Sequence, residues 1–327
     1  MMELLGDDPC IIAEVGCNHG GDAGLAAEMV AAAAGAGARF VKLQTYSIDE
    51  YVSRDHPAHA AFAAEALSGA DFQRLAGDAA RDGVTVFSTP FDFYSADFLD
   101  AAGVPLFKIS SGDITYLPLL RHVAAKGKPI LLSTGACDWE ELDAAVAAIR
   151  AESDAELVLL HCTAAYPAPD DEMHLALIPA LVQRYGLPVG FSDHSLGIDI
   201  ALAGAALGAW VIEKHFTTDQ SLEAGDNDMS ITPDELQRLI AGSARVARAL
   251  GVGERRVFPC EEEVSAFVRR SLVARGDLPA GRVLAPGDLV AVRPSGGLPA
   301  VEEDALFGRS LRRGLAAGER ITPGDLD

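Results

Sequence analysis

The sequence predicts an eight-stranded parallel β/α barrel, a (β/α)8 TIM barrel, followed by a small domain rich in short strands and turns. From residue 9 to about 215, eight short apolar or β-branched runs alternate with longer, Ala-rich helical patterns. Such alternation indicates a parallel sheet with right-handed crossovers, and eight units fit a closed barrel better than an open sheet. The sequence contains neither GxGxxG nor a P-loop, so nothing favours a nucleotide-binding fold.

Composition and periodicity bound the predicted elements. The predicted strands are Cys10–Val15, Phe40–Gln44, Val84–Ser88, Leu106–Ile109, Ile130–Ser133, Leu157–His161, Pro188–Ser192 and Val211–Lys214. The helical segments include Leu25–Gly35, Asp71–Asp82, Glu140–Ala151, Asp199–Leu207 and Pro233–Leu250.

The character of the chain changes towards its carboxyl end. We expect the catalytic barrel in residues 1–250, a linker in residues 251–268 and the small domain in residues 269–327. Within the small domain, the segment Leu278–Leu289 recurs as Leu315–Leu326, each copy with two turn signals around one short strand. A domain of about 60 residues is marginal by itself, so we expect it to dock on something.

Composition excludes several classes of protein. The chain has 327 residues, of which 49% are apolar, so it can bury a full-sized core. Its formal net charge of −22 argues against a nucleic-acid surface, which phosphates would repel. No stretch approaches the roughly 20 apolar residues of a membrane span, and the acidic start is unlike a secretory signal. Five cysteines without CxxC spacing argue against a disulfide framework. We therefore expect a cytoplasmic protein.

Polar side chains gather at the carboxyl ends of the predicted strands, where β/α barrels place their active sites. In strand order they are Glu14, then Lys42 and Gln44, Thr89, then Lys108, Ser111 and Asp113, Ser133, Tyr166, then Ser192 and His194, and finally His215. This regular placement predicts an active site at the barrel mouth.

Two histidines end adjacent strands, so His194 and His215 can reach one ion. Imidazole suits borderline divalent metals, and only two protein ligands would leave positions open for substrate and water. Each histidine could instead be a core residue bonded to a backbone carbonyl. His19, in the loop after strand one, could join the mouth or simply cap a turn.

Two lysines, Lys42 and Lys108, end strands two and four beside several hydroxyl groups. Ammonium groups with hydroxyls form a cradle for phosphate and carboxylate. Glu14 and Asp113 could handle protons or hold a water, or they could be salt-bridge partners of the lysines.

These motifs resemble the sialic acid (N-acetylneuraminate) synthase family over the whole chain. They are AEVGCNHGGD, VKLQT, FSTPFD, FKISSGD, LLSTG, CTAAYP, GFSDHSLG and IEKHFTTD, followed by RRSLVARGDLPAG and VRPSGG. The last two look like the antifreeze-like (SAF) domain of that family.

The resemblance implies a nonulosonate synthase that condenses phosphoenolpyruvate with an open-chain 2-acetamido sugar aldehyde and water. The aldehyde would be N-acetylmannosamine or a relative, and the products a nine-carbon 2-keto sugar acid and phosphate. His194 and His215 would hold a divalent metal, Mn²⁺ first, with Mg²⁺ or Co²⁺ as alternatives. The positions that match phosphoenolpyruvate-binding residues are Lys42, Thr89, Lys108, Ser111, Ser133 and Ser192. Those that match residues for the sugar and water are Glu14, Gln44, Tyr166 and Asp226.

The resemblance further implies a domain-swapped homodimer, in which Arg293 of VRPSGG touches the sugar in the partner subunit's barrel. Three positions depart from the family pattern: Asp113 replaces a Glu, Ala164 replaces Asn or Ser, and AGDND replaces the usual loop around Asp226. Because these departures affect the acceptor side, we hypothesise an altered acceptor sugar, with neutral drift as the alternative.

Two other functions fit parts of the sequence. One is an aldol synthase that uses phosphoenolpyruvate or pyruvate with a different sugar aldehyde; a Schiff-base version needs a lysine in apolar surroundings. The other is a non-catalytic barrel protein associated with polysaccharide or a surface coat.

Overall fold

The computed structural model describes residues 9–327, which divide into one compact unit ending at Gly251 and another over Val252–Asp327. The first unit is built on a sheet of eight parallel strands. They are β1 Cys10–Gly16, β2 Phe40–Thr45, β3 Thr85–Pro90, β4 Phe107–Ile109, β5 Ile130–Ser133, β6 Leu157–Cys162, β7 Val189–Asp193 and β8 Val211–His215.

The sheet closes into a barrel. Its order is β3-β2-β1-β8-β7-β6-β5-β4, and the first and last strands of the chain, β1 and β8, pair in parallel with Glu14 opposite His215. At the two ends of this order, β3 and β4 also lie side by side, with Cα atoms within 8 Å. The predicted β/α barrel is thereby confirmed, and each strand starts and ends within two residues of its predicted bounds.

Helices surround the strands. They are α1 Ala23–Gly35, α2 Ile48–Tyr51, α3 His59–Glu65, α4 Gly69–Arg81, α5 Phe93–Ala101, α6 Leu117–Ala124, α7 Trp139–Glu152, α8 Leu177–Tyr185, α9 Asp199–Ala206 and α10 Pro233–Leu250. Single turns of 3₁₀ helix occur at Ser111–Asp113, Asp170–Glu172, Asn227–Met229, Pro259–Glu261, Ala300–Glu302 and Pro323–Asp325.

Local sequence explains where these elements form. Strands β1 (CIIAEVG) and β6 (LVLLHC) are buried along their whole length, as expected for a parallel sheet covered on both faces. Helix α7 begins at a capping box in which Asp138 accepts the backbone N–H of Glu141 at 2.9 Å and Glu141 accepts that of Asp138 at 3.1 Å. The apolar strand residues form one core inside the helices.

The second unit has its own small core of leucines. It contains α11 Glu262–Val268, the antiparallel strands β9 Ser271–Ala274 and β10 Leu289–Val292, and the single-turn helix α12 Glu303–Leu306. The two sequence repeats meet where Leu278 and Leu315 exchange backbone hydrogen bonds of 2.8 and 2.9 Å. The segment predicted as a linker thus includes a helix, α11. Across residues 9–327, no helix combines the length and apolar character needed to cross a membrane.

Candidate active site

Four buried charged side chains meet inside the barrel, and we call them the lysine chamber: Glu14, Lys42, Lys108 and Glu213. The Nζ atom of Lys42 lies 2.8 Å from Oε2 of Glu14 and 3.7 Å from Oε2 of Glu213. The Nζ atom of Lys108 lies 3.1 Å from Oε1 of Glu213. All four are at most 4% exposed, so the ion pairs are shielded from water. The two predicted lysines therefore converge from β2 and β4, with Glu213 bridging them.

Hydroxyl groups border the lysine chamber, as the sequence predicts. Thr89 accepts a hydrogen bond of 2.9 Å from Lys42, and Ser192 donates one of 2.9 Å to Glu213. Ser111 accepts the backbone N–H of Gly135 at 3.0 Å. The Oγ atom of Ser133 is buried and has no hydrogen-bond partner among the described residues. A buried hydroxyl group without a partner costs free energy, and a hydrogen bond from Ser133 to a ligand oxygen would remove that cost.

The two carboxyl groups of the chamber differ in their affinity for protons. Burial raises the pKa of Glu14 to about 7, although Lys42 opposes this. Burial acts on Glu213 in the same sense, but Lys108 and Lys42 outweigh it and lower its pKa to about 2. Burial also lowers the pKa of Lys108, whereas Glu14 and Glu213 outweigh it at Lys42 and raise that pKa. Glu213 is therefore the fixed counter-ion of the lysines, and Glu14 is the group that can take up a proton.

Sequence reasoning missed Glu213. The signal was present, because side chains two residues apart on a strand point to the same face. Glu213 precedes His215 by two residues on β8 and therefore shares the barrel interior with it. The rule that we applied considered only the residues at the end of each strand, and Glu213 lies two positions before the end of β8.

His194 and His215 lie next to each other above the chamber, with ring centroids 5.3 Å apart and ring planes at 61°. Nδ1 of His194 lies 2.9 Å from the carbonyl oxygen of Thr163, an arrangement that fixes the proton on Nδ1 and leaves Nε2 as a lone-pair donor. Nδ1 of His215 is buried and accepts or donates no hydrogen bond within residues 9–327. Burial lowers the pKa of both imidazoles, and at His215 the neighbouring His194 lowers it further. Both rings are therefore neutral at pH 7, the form that binds metals.

The residues present fit a divalent metal held by two imidazoles and otherwise by small molecules. In the part of the chain that the structure describes, no three His, Cys, Asp or Glu side chains are grouped to hold an ion. The unpartnered nitrogen of His215 and the oriented ring of His194 nevertheless supply two neutral donors. An ion bound there would keep positions open for substrate oxygens.

Tyr166 and Asp226 lie beside the histidines. The ring of Tyr166 is 4.2 Å from that of His194 and 5.9 Å from that of His215, and 54% of the residue is exposed. Oδ2 of Asp226 is 3.7 Å from Nδ1 of His215. We call these four residues the histidine rim. They come from four segments of the chain that the barrel brings together.

The loop that carries Asp226 is held by Asn18, a second residue that sequence reasoning did not single out. Oδ1 of Asn18 accepts the backbone N–H of Asp226 at 2.7 Å, and its amide nitrogen donates to Oγ of Ser230 at 2.8 Å. Gly225 has φ +56°, and a Cβ there would lie 2.7 Å from Oδ1 of Asn18. The Gly of the AGDND sequence is therefore required by this close approach.

The remaining predicted residues of the barrel lie at the same mouth or close to it. Asp113 is half-buried in the turn after β4; burial raises its pKa to about 6, against the opposing charge of Lys108. Gln44 accepts a hydrogen bond of 3.4 Å from the thiol of Cys17. His19 accepts the backbone N–H of Gly21 at 3.0 Å, which is the turn-capping alternative.

Arg293 belongs to the second unit, where it is exposed and its Nε donates to the carbonyl oxygen of Val268 at 2.8 Å. The rest of its guanidinium can contact a ligand, so its predicted role remains a prediction.

Family models match both units of the chain. That of the NeuB family matches residues 29–255, and that of the SAF domain matches residues 269–327. An uncharacterized protein of Methanocaldococcus jannaschii is 36% identical over 307 residues, which cover 94% of this chain and 91% of that protein. The N,N'-diacetyllegionaminic acid synthase of Legionella pneumophila is 39% identical over 330 residues, which cover 95% of this chain and 92% of that enzyme.

A solved structure agrees with these relatives. The N-acetylneuraminic acid synthetase of Leptospira borgpetersenii, in complex with citrate, matches with a TM-score of 0.76 and 34% identity over 79% of this chain and 90% of that chain. The resemblance read from the sequence motifs is confirmed, and the chain belongs to the NeuB family of sugar-acid synthases and carries a SAF domain.

Proposed function

We propose that this enzyme condenses phosphoenolpyruvate with an open-chain 2-acetamido sugar aldehyde and water, giving a nine-carbon 2-keto sugar acid and phosphate. The observation that carries the proposal is the stacking of two sites in one barrel mouth, a lysine chamber for an anion and a histidine rim for a polarised oxygen. The family's relatives include enzymes named for diacetyllegionaminic and neuraminic acids.

The lysine chamber is the phosphoenolpyruvate half of this site. Lys42 and Lys108 supply two positive charges for the carboxylate and phosphate of the donor, and Thr89, Ser111, Ser133 and Ser192 supply hydroxyls. Glu213 keeps both ammonium groups in place before the donor binds. Such preorganisation lowers the cost of ordering charged side chains around an anion.

The histidine rim is the aldehyde half. When bound to His194 and His215, a divalent cation, Mn²⁺ in our proposal, would act as a Lewis acid on the aldehyde oxygen. C3 of phosphoenolpyruvate would form a bond to the aldehyde carbon, and the aldehyde oxygen would take up a proton to become a hydroxyl group. Water would add to C2, and the C–O bond to phosphate would then break, releasing phosphate and leaving the 2-keto group. Glu14, with its raised pKa, and Asp113 are placed to hold that water and accept its proton.

The acceptor contacts belong to loops. Tyr166, Gln44 and Asp226 would contact the sugar, and Arg293 would reach it from the SAF domain of a partner subunit in a domain-swapped homodimer. Ala164 cannot supply the polar contact that Asn or Ser gives at this position. We therefore propose an acceptor other than plain N-acetylmannosamine, with 2,4-diacetamido-6-deoxyhexoses as the first alternative, in keeping with the legionaminic acid relative.

A phosphate-release screen tests the proposal. The protein is incubated with phosphoenolpyruvate and Mn²⁺, and with N-acetylmannosamine, its 6-phosphate or a 2,4-diacetamido-6-deoxyhexose. We expect acceptor-dependent phosphate release with one of these sugars, together with an equimolar 2-keto acid. Phosphate release without any acceptor, or none with any sugar, would contradict the proposal.

The Schiff-base alternative has a separate control. Both chamber lysines are held by carboxylates, which favours anion binding over imine formation. Borohydride reduction in the presence of pyruvate should therefore leave the mass of the protein unchanged, and a trapped adduct would favour an aldolase instead.

A further inference from the structure

Behind the two histidines, on the opposite face of β7 and β8, lies a fully buried ion pair that the proposed reaction does not use. Nζ of Lys214 is 2.8 Å from Oδ2 of Asp193, and both side chains are 0% exposed. Lys214 also donates to the carbonyl oxygen of Ser195, and Oδ1 of Asp193 accepts the backbone N–H of Ser195 at 2.8 Å. Two groups on one short segment of chain, the Asp193 carboxylate and the Ser195 carbonyl, therefore bind one ammonium group.

The residues of this cluster are neighbours in sequence of the two candidate metal ligands. Asp193 and Ser195 flank His194, and Lys214 immediately precedes His215. Asp193 and Lys214 are direct partners in the parallel register of β7 and β8. Because side chains alternate along a strand, holding Lys214 on the outer face of β8 fixes how His215 projects on the inner face. Asp193 is the last residue of β7, and its bonds to Lys214 and Ser195 fix the segment that carries His194. The ion pair thus connects the main-chain segments of both candidate metal ligands.

Stability alone does not account for such a pair. Removing two charges from water is expensive, and apolar residues of similar volume at buried ion pairs are often neutral or stabilising. Hydrogen bonds fix direction better than apolar contacts do, because they fail when donor and acceptor turn apart. A pair of this kind around two ligands is therefore better explained by geometry than by folding energy.

We propose that Lys214 and Asp193 are positioning residues that hold His194 and His215 at the separation required for one divalent cation. This inference rests on the proposed function only in assuming that the two histidines share an ion. Neither Lys214 nor Asp193 touches substrate in this proposal. Their effect reaches the reaction through the spacing of the two rings.

The test removes both charges together, so that no lone charge stays buried. In the variant Asp193→Leu/Lys214→Met, each replacement approximates the shape of the residue that it removes. Three properties of the full-length protein are measured: its Tm without metal, its affinity for phosphoenolpyruvate without metal, and its affinity for Co²⁺ from the visible absorption of the bound ion. Ser243→Ala is the matched control, since Ser243 is a buried polar residue of α10 whose Oγ donates to Leu239 at 2.8 Å.

We expect the double variant to fold, with a Tm close to that of the wild type, and to keep its affinity for phosphoenolpyruvate. Its affinity for Co²⁺ should fall by about 10- to 100-fold, as is typical when groups that orient metal ligands are lost. Ser243→Ala should keep the wild-type affinity for Co²⁺. An unchanged Co²⁺ affinity in the double variant would overturn the inference, as would parallel losses of all three properties.

A further variant separates this inference from the proposed function. If the wild type does not bind Co²⁺, or if His215→Ala binds Co²⁺ as tightly as the wild type, the metal assignment and the positioning role both fail. If the Co²⁺ results hold but no acceptor sugar gives phosphate release, the proposed function fails and the positioning role stands.

Discussion

The lysine chamber and the histidine rim lie in the same barrel mouth but are built differently. The chamber consists of side chains from strands β1, β2, β4 and β8, all at most 4% exposed and tied to one another by ion pairs. The rim also uses loop residues, and its Tyr166 is 54% exposed. Its members make few hydrogen bonds with each other: Asp226 stays 3.7 Å from His215, and Tyr166 contacts the rings by packing.

The contrast between strand and loop residues explains how one barrel can serve the synthesis of several sugar acids. A chamber made of strand residues cannot change without disturbing the core, so we expect related barrels to use the same donor, phosphoenolpyruvate. A rim made of loops can change its contacts at little cost to the fold. We therefore infer that specificity for phosphoenolpyruvate resides in the strands and specificity for the acceptor sugar in the loops.

The largest expected effect comes from the rim. His215→Ala removes one of the two proposed metal ligands, so turnover should fall by about a thousandfold or more, which corresponds to several kcal/mol of charge stabilisation. Mn²⁺ binding should be lost, whereas Tm and the affinity for phosphoenolpyruvate should stay near wild type. Steady-state kinetics and Mn²⁺ titration measure this. Wild-type rates in metal-free buffer would contradict the metal assignment.

The next largest effect comes from the chamber. Lys42→Met leaves Glu14 and Glu213 without the cation that they share, and the proposed phosphoenolpyruvate site loses one positive charge. The KM for phosphoenolpyruvate should rise about 100-fold, which is typical when a buried charged contact is removed. The KM for the acceptor sugar should change much less. Lys128→Met is the control, because Lys128 pairs with Asp100 at 2.7 Å at a partly exposed site. Equal effects of the two variants would break the distinction between chamber and surface.

A smaller effect is expected at the second unit. Arg293→Ala should raise the KM for the acceptor by about tenfold, as for one charge-assisted hydrogen bond, and leave that for phosphoenolpyruvate nearly unchanged. Arg312→Ala, which removes an exposed partner of Asp327, is the matched control. If Arg293→Ala raised both KM values alike, the partner-subunit role of this arginine would be wrong.

The smallest effect concerns pH. Burial raises the pKa of Glu14 to about 7, so this carboxyl group is largely protonated below pH 7 and becomes negative above it. The chamber then loses net positive charge, and the KM for phosphoenolpyruvate should rise a few-fold as pH increases through about 7. Glu14→Gln should abolish that rise in a profile measured between about pH 6 and 8.5. A rise of the same size in the variant would assign the titration to another group.

The fold could be predicted because a single pattern repeats eight times and each strand is a short apolar run. Predicted strand ends such as those of Ile130–Ser133 agree with the structure because polar residues stop the runs. The strand-end rule also found Lys42, Lys108, His194 and His215, which the structure brings together.

What the sequence did not reveal depends on partners that are far apart in the chain. The alternation of side chains places Glu213 on the same face as His215, but its partners Lys42 and Lys108 come from β2 and β4 and follow only from the closed barrel. Asn18 acts through a loop more than 200 residues away, and no local pattern announces that contact. Lys214 and Asp193 face outward, where a sequence reading expects apolar residues.

In the proposed reaction phosphoenolpyruvate and the metal ion occupy one cavity, and nuclear relaxation measures their proximity directly. The ³¹P signal of phosphoenolpyruvate is recorded with the wild type and with His215→Ala, each in the presence and absence of Mn²⁺. We predict that Mn²⁺ strongly broadens this signal in the wild type and that the His215→Ala variant, although it still binds phosphoenolpyruvate, loses the broadening. Unchanged broadening in the variant, or none in a wild type that binds both Mn²⁺ and phosphoenolpyruvate, would contradict the claim.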